Sequence, residues 1–124
     1  PPACFGASLL GKLPVVVKDN ILARGMPCVW GSRVFRDYVP DVDELPVARL
    51  RAAGAVILGK TNVPELTFEG ITWNPVFGAT RNPYDLALTP GGSSGGSVVV
   101  VVAPSEKPAL SPESTPQPPR RYTA

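Results

Sequence analysis

A lysine that closes an apolar run and a pair of serines set among glycines are the parts of this sequence equipped for chemistry. Lys18 directly follows Leu13-Pro14-Val15-Val16-Val17 and is followed by Asp19-Asn20. A lysine held at the margin of a core is poorly hydrated, which disfavours its ammonium form and lets it accept a proton near neutral pH. A lysine at a strand end that simply reaches water fits the same pattern. The serines lie in Gly91-Gly92-Ser93-Ser94-Gly95-Gly96. Glycines on both sides allow positive φ and close backbone approach, and they gather N–H groups and two hydroxyls in one place. Three readings fit this run. It is a flexible Gly/Ser linker, a phosphate-binding loop, or a catalytic loop whose serine is activated by a lysine. The phosphate reading lacks the Lys-Ser or Lys-Thr that follows at P-loop spacing.

The elements that must position these groups read as an α/β pattern. The β-branched run Leu13–Val17 predicts a buried strand that delivers Lys18 at its C-terminal end. Gly25, Pro27 and Gly31 punctuate a loop. A helix is predicted over Asp43–Ala53, with Asp43 as cap, Glu44 and Pro46 in the first turn and Gly54 as stop. Leu45, Ala48, Leu50 and Ala53 form its apolar stripe. Ala55-Val56-Ile57-Leu58-Gly59 predicts a second buried strand, so the two strands and their helical crossover form part of a parallel layer with the right-handed connection. Thr61–Leu66 opens a short helix, and Asn74–Thr89 has turn chemistry throughout.

Bulk properties narrow the function classes. The 124 residues are 44% hydrophobic and 18% charged, which suits one globular domain. A net charge of +2, with arginines and acids interleaved between Arg24 and Arg51, gives no single-sign patch for nucleic acid. No apolar run reaches the length of a membrane span. Without histidine, a His-based triad and most zinc sites are excluded. The two cysteines, Cys4 and Cys28, fit a reduced, cytoplasmic setting. Prolines crowd the end of the chain (Pro104, Pro108, Pro112, Pro116, Pro118, Pro119) among Ser, Thr, Glu and Lys. Residues 1–103 therefore read as the foldable part and 104–124 as a disordered tail with polyproline character.

From Leu13 to Ser97 the chain resembles the amidase signature family. The resemblance rests on four pieces in family order: Pro14-Val15-Val16-Val17-Lys18-Asp19-Asn20; Gly54-Ala55-Val56-Ile57-Leu58-Gly59-Lys60-Thr61-Asn62-Val63-Pro64-Glu65; Gly78 with Asn82-Pro83-Tyr84-Asp85; and Gly91 to Ser97. It implies a fragment of a mixed β-sheet flanked by helices and a Ser–cis-Ser–Lys triad. In that triad Lys18 is the base and Ser93, in a cis peptide, is the relay. Ser94 supports the loop by hydrogen bonding, and Gly91, Gly92, Gly95 and Gly96 shape it or touch substrate. The implied reaction is hydrolysis of a small-molecule carboxamide to acid and amine, with no metal or organic cofactor and no nucleic-acid or membrane partner.

The sequence also departs from the family. The family's nucleophilic serine belongs to a Gly-Gly-Ser or Ala-Gly-Ser segment beyond Ser93, and no such segment follows here. Ser111 and Ser114 stand beside Pro112 and Pro116 with no glycine to form an oxyanion hole. Val98–Val102 replaces an alanine-rich helix, and β-branched residues weaken helix propensity there. The abrupt change after Ala103 is the expected mark of a shifted frame, a retained intron or a faulty gene model. The chain alone is therefore expected to be a fragment without turnover. The alternative is a non-catalytic interaction module whose Pro116-Gln117-Pro118-Pro119-Arg120-Arg121 segment binds a proline-recognition domain.

Overall fold

The computed structural model of the chain describes residues 11–103. The predicted disordered tail, Ser111, Ser114, the proline-rich segment and Cys4 lie outside the described residues. What is described is a mixed α/β unit. Strand β1 (Pro14–Lys18) pairs in parallel with β2 (Val56–Thr61), and helix α1 (Leu45–Ala52) lies on the connection between them. A short antiparallel hairpin follows, β3 (Trp73–Asn74) with β4 (Gly78–Ala79), and then helix α2 (Gly95–Val102).

Both predicted strands form, each shifted toward its C-terminal end. In register, Val15 faces Ile57, Val16 faces Gly59 and Lys18 faces Thr61, with an irregularity between Val15 and Val16. The shift continues the ladder past the apolar run, as the Asp19 N–H still donates to the Thr61 carbonyl at 3.0 Å. The prediction that both strands are buried needs correction. Val17 and Ile57 are buried, whereas Leu58 is 63% exposed. Alternation places successive side chains on opposite faces, and only one face of this two-stranded sheet carries the core. That core is Val17, Ala23, Val47 and Ile57, with Val15, Ile21 and Met26 packed around it.

Helix α1 starts later than predicted, and Asp43 does not cap it. Glu44 is the N-cap residue through its backbone alone. The two acids instead tie the helix entrance to the preceding loop: Asp43 accepts the Arg24 N–H at 2.7 Å and Glu44 accepts the Leu22 N–H at 3.0 Å. Asp43 also pairs with Arg51 at 3.1 Å. The predicted apolar stripe is not the buried one. Val47 alone of the helix is buried, while Leu45, Leu50 and Ala53 line an open groove of about 480 Å³ with Pro46 and Arg49. Proline in the first turn fits the start, and Gly54 closes the end by donating to the Arg51 carbonyl.

The short helix predicted after Thr61 is a single 3-10 turn, Glu65–Thr67, in which Leu66 and Thr67 adopt positive φ. The run predicted as turns from Asn74 contains the β3–β4 hairpin. Asn74 is fully buried there: its amide N–H donates to the Val63 carbonyl at 2.7 Å, and its oxygen accepts from Val76 and Phe77. Asn62 joins it, accepting from the Asn74 amide and donating to the Gly78 carbonyl at 3.2 Å. This amide pair fastens the end of β2 to the hairpin. The valine run Val98–Val102 is helical despite its weak propensity, with Val99 buried and α2 packed against β1. Val99, the buried valine of the five, supplies the packing that opposes this propensity.

Candidate active site

The parallel register delivers Lys18 to the C-terminal edge of the sheet, and the start of α2 brings the glycine-serine loop to the same place. Lys18 Nζ donates to Ser93 Oγ at 2.7 Å, across 75 residues of chain. Both residues are half-buried. The Gly92–Ser93 peptide bond is cis. The lysine therefore does not simply reach water: its amine meets the hydroxyl of Ser93.

The glycine loop is closely packed on its neighbours, which counts against the linker reading. A Cβ on Gly92 would stand 2.5 Å from the Gly70 carbonyl oxygen, and one on Gly95 would stand 2.5 Å from Thr72 Oγ1. No side chain fits at either distance, so these glycines are where the loop touches its neighbours. Two of the loop's N–H groups are already bound. Gly91 donates to Thr89 Oγ1 at 3.1 Å and Gly95 donates to Thr72 Oγ1 at 3.0 Å. A phosphate cradle needs such groups free, so the pattern counts against that reading as well.

Ser94 is exposed and makes no side-chain cap bond; its carbonyl receives the Val98 N–H at 3.1 Å and so starts α2. The hydroxyl support expected of Ser94 comes instead from Thr72, which donates to the Gly91 carbonyl at 3.2 Å while accepting from Gly95. Sequence reasoning did not pick out Thr72, because a threonine before Trp73-Asn74-Pro75 reads as part of a turn. A hydroxyl pair, Thr61 Oγ1 with Ser97 Oγ at 2.7 Å, joins β2 to α2.

Asp19 was also missed. It is buried behind Lys18 and accepts the Val29 N–H at 3.2 Å and the Gly31 N–H at 3.4 Å. Lys60 Nζ lies 3.7 Å from its carboxylate and donates to the Ile21 carbonyl at 2.6 Å. Burial holds the Asp19 carboxyl above its usual range, opposed by Lys60 and by the two backbone N–H groups. Cys28 donates to the Asp19 carbonyl at 2.8 Å, and burial pushes its thiol up as well. The only sequence signal for this group was the adjacency of Asp19 to Lys18.

Residues 6–107 match the family profile described as Amidase. The chain belongs to the amidase family. This amidase chain is 48% identical over 94 residues to a glutamyl-tRNA(Gln) amidotransferase subunit of Methanosarcina barkeri, covering 76% of its own length and 20% of that protein. Among solved structures, it resembles the corresponding amidotransferase subunit from Thermotoga maritima at a TM-score of 0.67 and 43% identity, over 71% of this chain and 20% of that one. It also resembles the peptide amidase of Stenotrophomonas maltophilia at a TM-score of 0.65 and 44% identity, over 71% of this chain and 19% of the other. The amidase chain thus spans about a fifth of the length of the relatives it matches. Among the described residues, no helix is long and apolar enough to cross a membrane.

Proposed function

We propose that this chain carries the lysine and the relay serine of an amidase site that hydrolyses carboxamide C–N bonds. The observation that supports it is the 2.7 Å contact between Lys18 Nζ and Ser93 Oγ. With Lys18 as the base, Ser93 passes its hydroxyl proton to Nζ while taking the proton of a nucleophilic serine. That serine attacks the carbonyl carbon, the C–N bond breaks, and the proton returns through Ser93 to the departing nitrogen. Water then cleaves the acyl ester by the same path, and the sum is amide plus water to acid plus amine. No step calls for a metal or an organic cofactor. In this reading residues 1–103 are the amidase portion and 104–124 a tail.

The substrate class is a small carboxamide, the bond implied by the names peptide amidase and amidotransferase among the relatives. The nucleophile has no assignable serine within these 124 residues, so the chain by itself is expected to give no turnover on simple aliphatic or aryl amides. Turnover that Lys18→Ala abolishes would overturn that expectation. The pairing itself is tested by acylating the lysines of the folded chain and mapping them by mass spectrometry. Lys18 is expected to react slowly in the wild type and faster in Ser93→Ala, with exposed Lys12 as the reference for full access. An unchanged Lys18 rate in Ser93→Ala would remove the basis of the proposal.

A further inference from the structure

We propose that Thr72 is a positioning residue for the site, clamping the loop so that Ser93 meets Lys18; the inference rests on the Lys18–Ser93 reading above. Thr72 is fully buried, and its hydroxyl spans the loop on both sides of Ser93. It donates to the Gly91 carbonyl at 3.2 Å and accepts the Gly95 N–H at 3.0 Å. A hydroxyl has one proton to give, so these two bonds fix its direction: the donor side holds the segment before Ser93 and the acceptor side holds the start of α2. The clamp closes because Gly95 has no side chain; a Cβ there would stand 2.5 Å from Thr72 Oγ1.

Ser93 acts through a different bond, its hydroxyl accepting from Lys18 on β1. Gly91 is also bound from outside by Thr89, but that bond reaches only the leading side of the loop. Thr72 bonds to both sides. Its own position is set by the hairpin, since Thr80 donates its N–H to the Thr72 carbonyl at 2.9 Å and Asn74 is buried two residues on. The hairpin is thus a rigid support whose product is the placement of one hydroxyl.

The test compares Thr72→Val, which keeps the shape and removes the hydroxyl, with Thr72→Ser, which keeps the hydroxyl. The readout is the acylation rate of Lys18 in the full chain, with Lys60 mapped in the same digest. Thr72→Val is expected to speed Lys18 labelling by about tenfold, the scale of losing the single Lys18–Ser93 hydrogen bond. Lys60, held by Asp19 and the Ile21 carbonyl, keeps its rate, and Thr72→Ser behaves as the wild type. Three results overturn the proposal: no change at Lys18 in Thr72→Val, equal acceleration in both variants, or acceleration at Lys60 as well, which would make Thr72 a support of the whole fold. Should Thr72→Val give no soluble protein, Thr72→Ala is read by the same criteria. Ser93→Ala separates the two readings. If it speeds Lys18 and Thr72→Val does not, the clamp alone fails; if it leaves Lys18 unchanged, the pairing fails first.

Discussion

Lys18 and Asp19 are neighbours in the chain, yet one meets a serine hydroxyl while the other sits buried against Lys60 and two backbone N–H groups. Asp19 ties the turn after β1 to Val29 and Gly31, and its ionisation links that turn to pH. Its native carboxyl keeps a proton to higher pH than the unfolded one, so the folded state binds more protons there. The contribution to stability is complete below the ordinary carboxylate range and is lost as pH rises through the native value. Lys60 is the largest influence opposing that shift. Lys60→Met is therefore expected to raise the Asp19 titration further, read by carboxyl-carbon NMR. It should also lower stability relative to wild type by an amount that grows as pH rises above the ordinary carboxylate range, read by urea unfolding. A pH-independent difference would contradict the assignment. Cys28 gives a second check. Its buried, raised thiol should react with a disulfide reagent far more slowly in the native Cys4→Ser chain than in the same chain unfolded.

Elements were legible where periodicity and length were strong, and less so where burial or close packing decided the matter. β1, β2 and α1 stand within a few residues of their predicted places. The buried side of α1 was misread because Val47 was outside the stripe that spacing suggested, and the stripe of Leu45, Leu50 and Ala53 faces an open groove. Asn74 and Thr72 were hidden for another reason: a polar residue in a Pro- and Asn-rich run has the same appearance whether it turns in water or is buried as a brace. The glycine loop was found from the sequence, but linker and catalytic loop differ only in what the glycines touch. Helix α2 shows the balance of propensity and packing most directly. Val98, Val100 and Val101 are exposed, Val101 by 79%, and each carries the β-branched penalty without burial to offset it. Replacing any of them by alanine is expected to stabilise the fold by about 0.5 kcal/mol. Val99→Ala should instead cost about 2 kcal/mol, because that side chain is buried. Thermal unfolding of the four variants checks the sign at each position.

At the scale of the molecule, a two-stranded parallel sheet with one covered face is a small platform for the proposed Lys18–Ser93 pair. The match to relatives covers about a fifth of their length. Lys18 and Ser93 nevertheless meet within the described residues, so the geometry of the pair is encoded locally, by β1, β2, the hairpin and the start of α2. The remainder of a full-length relative would then supply what the pair does not contain, a nucleophile and the walls that choose a substrate. Replacing the matching segment of the Stenotrophomonas maltophilia peptide amidase with residues 13–103 of this chain tests that division. On the proposed reading, in which this segment brings proton transfer and leaves substrate choice to the host, the chimera is expected to hydrolyse the host's own amide substrates. Lys18→Ala or Ser93→Ala in the chimera should each lower kcat by about a thousandfold or more, as loss of one member of a cooperating triad does, with KM changed little. The double variant should be no worse than either single one, since a relay broken at one step gains nothing from a second break. A chimera that folds and binds a substrate-like inhibitor but turns over equally well without Lys18 would show that the contact at the sheet edge holds the fold together and moves no proton.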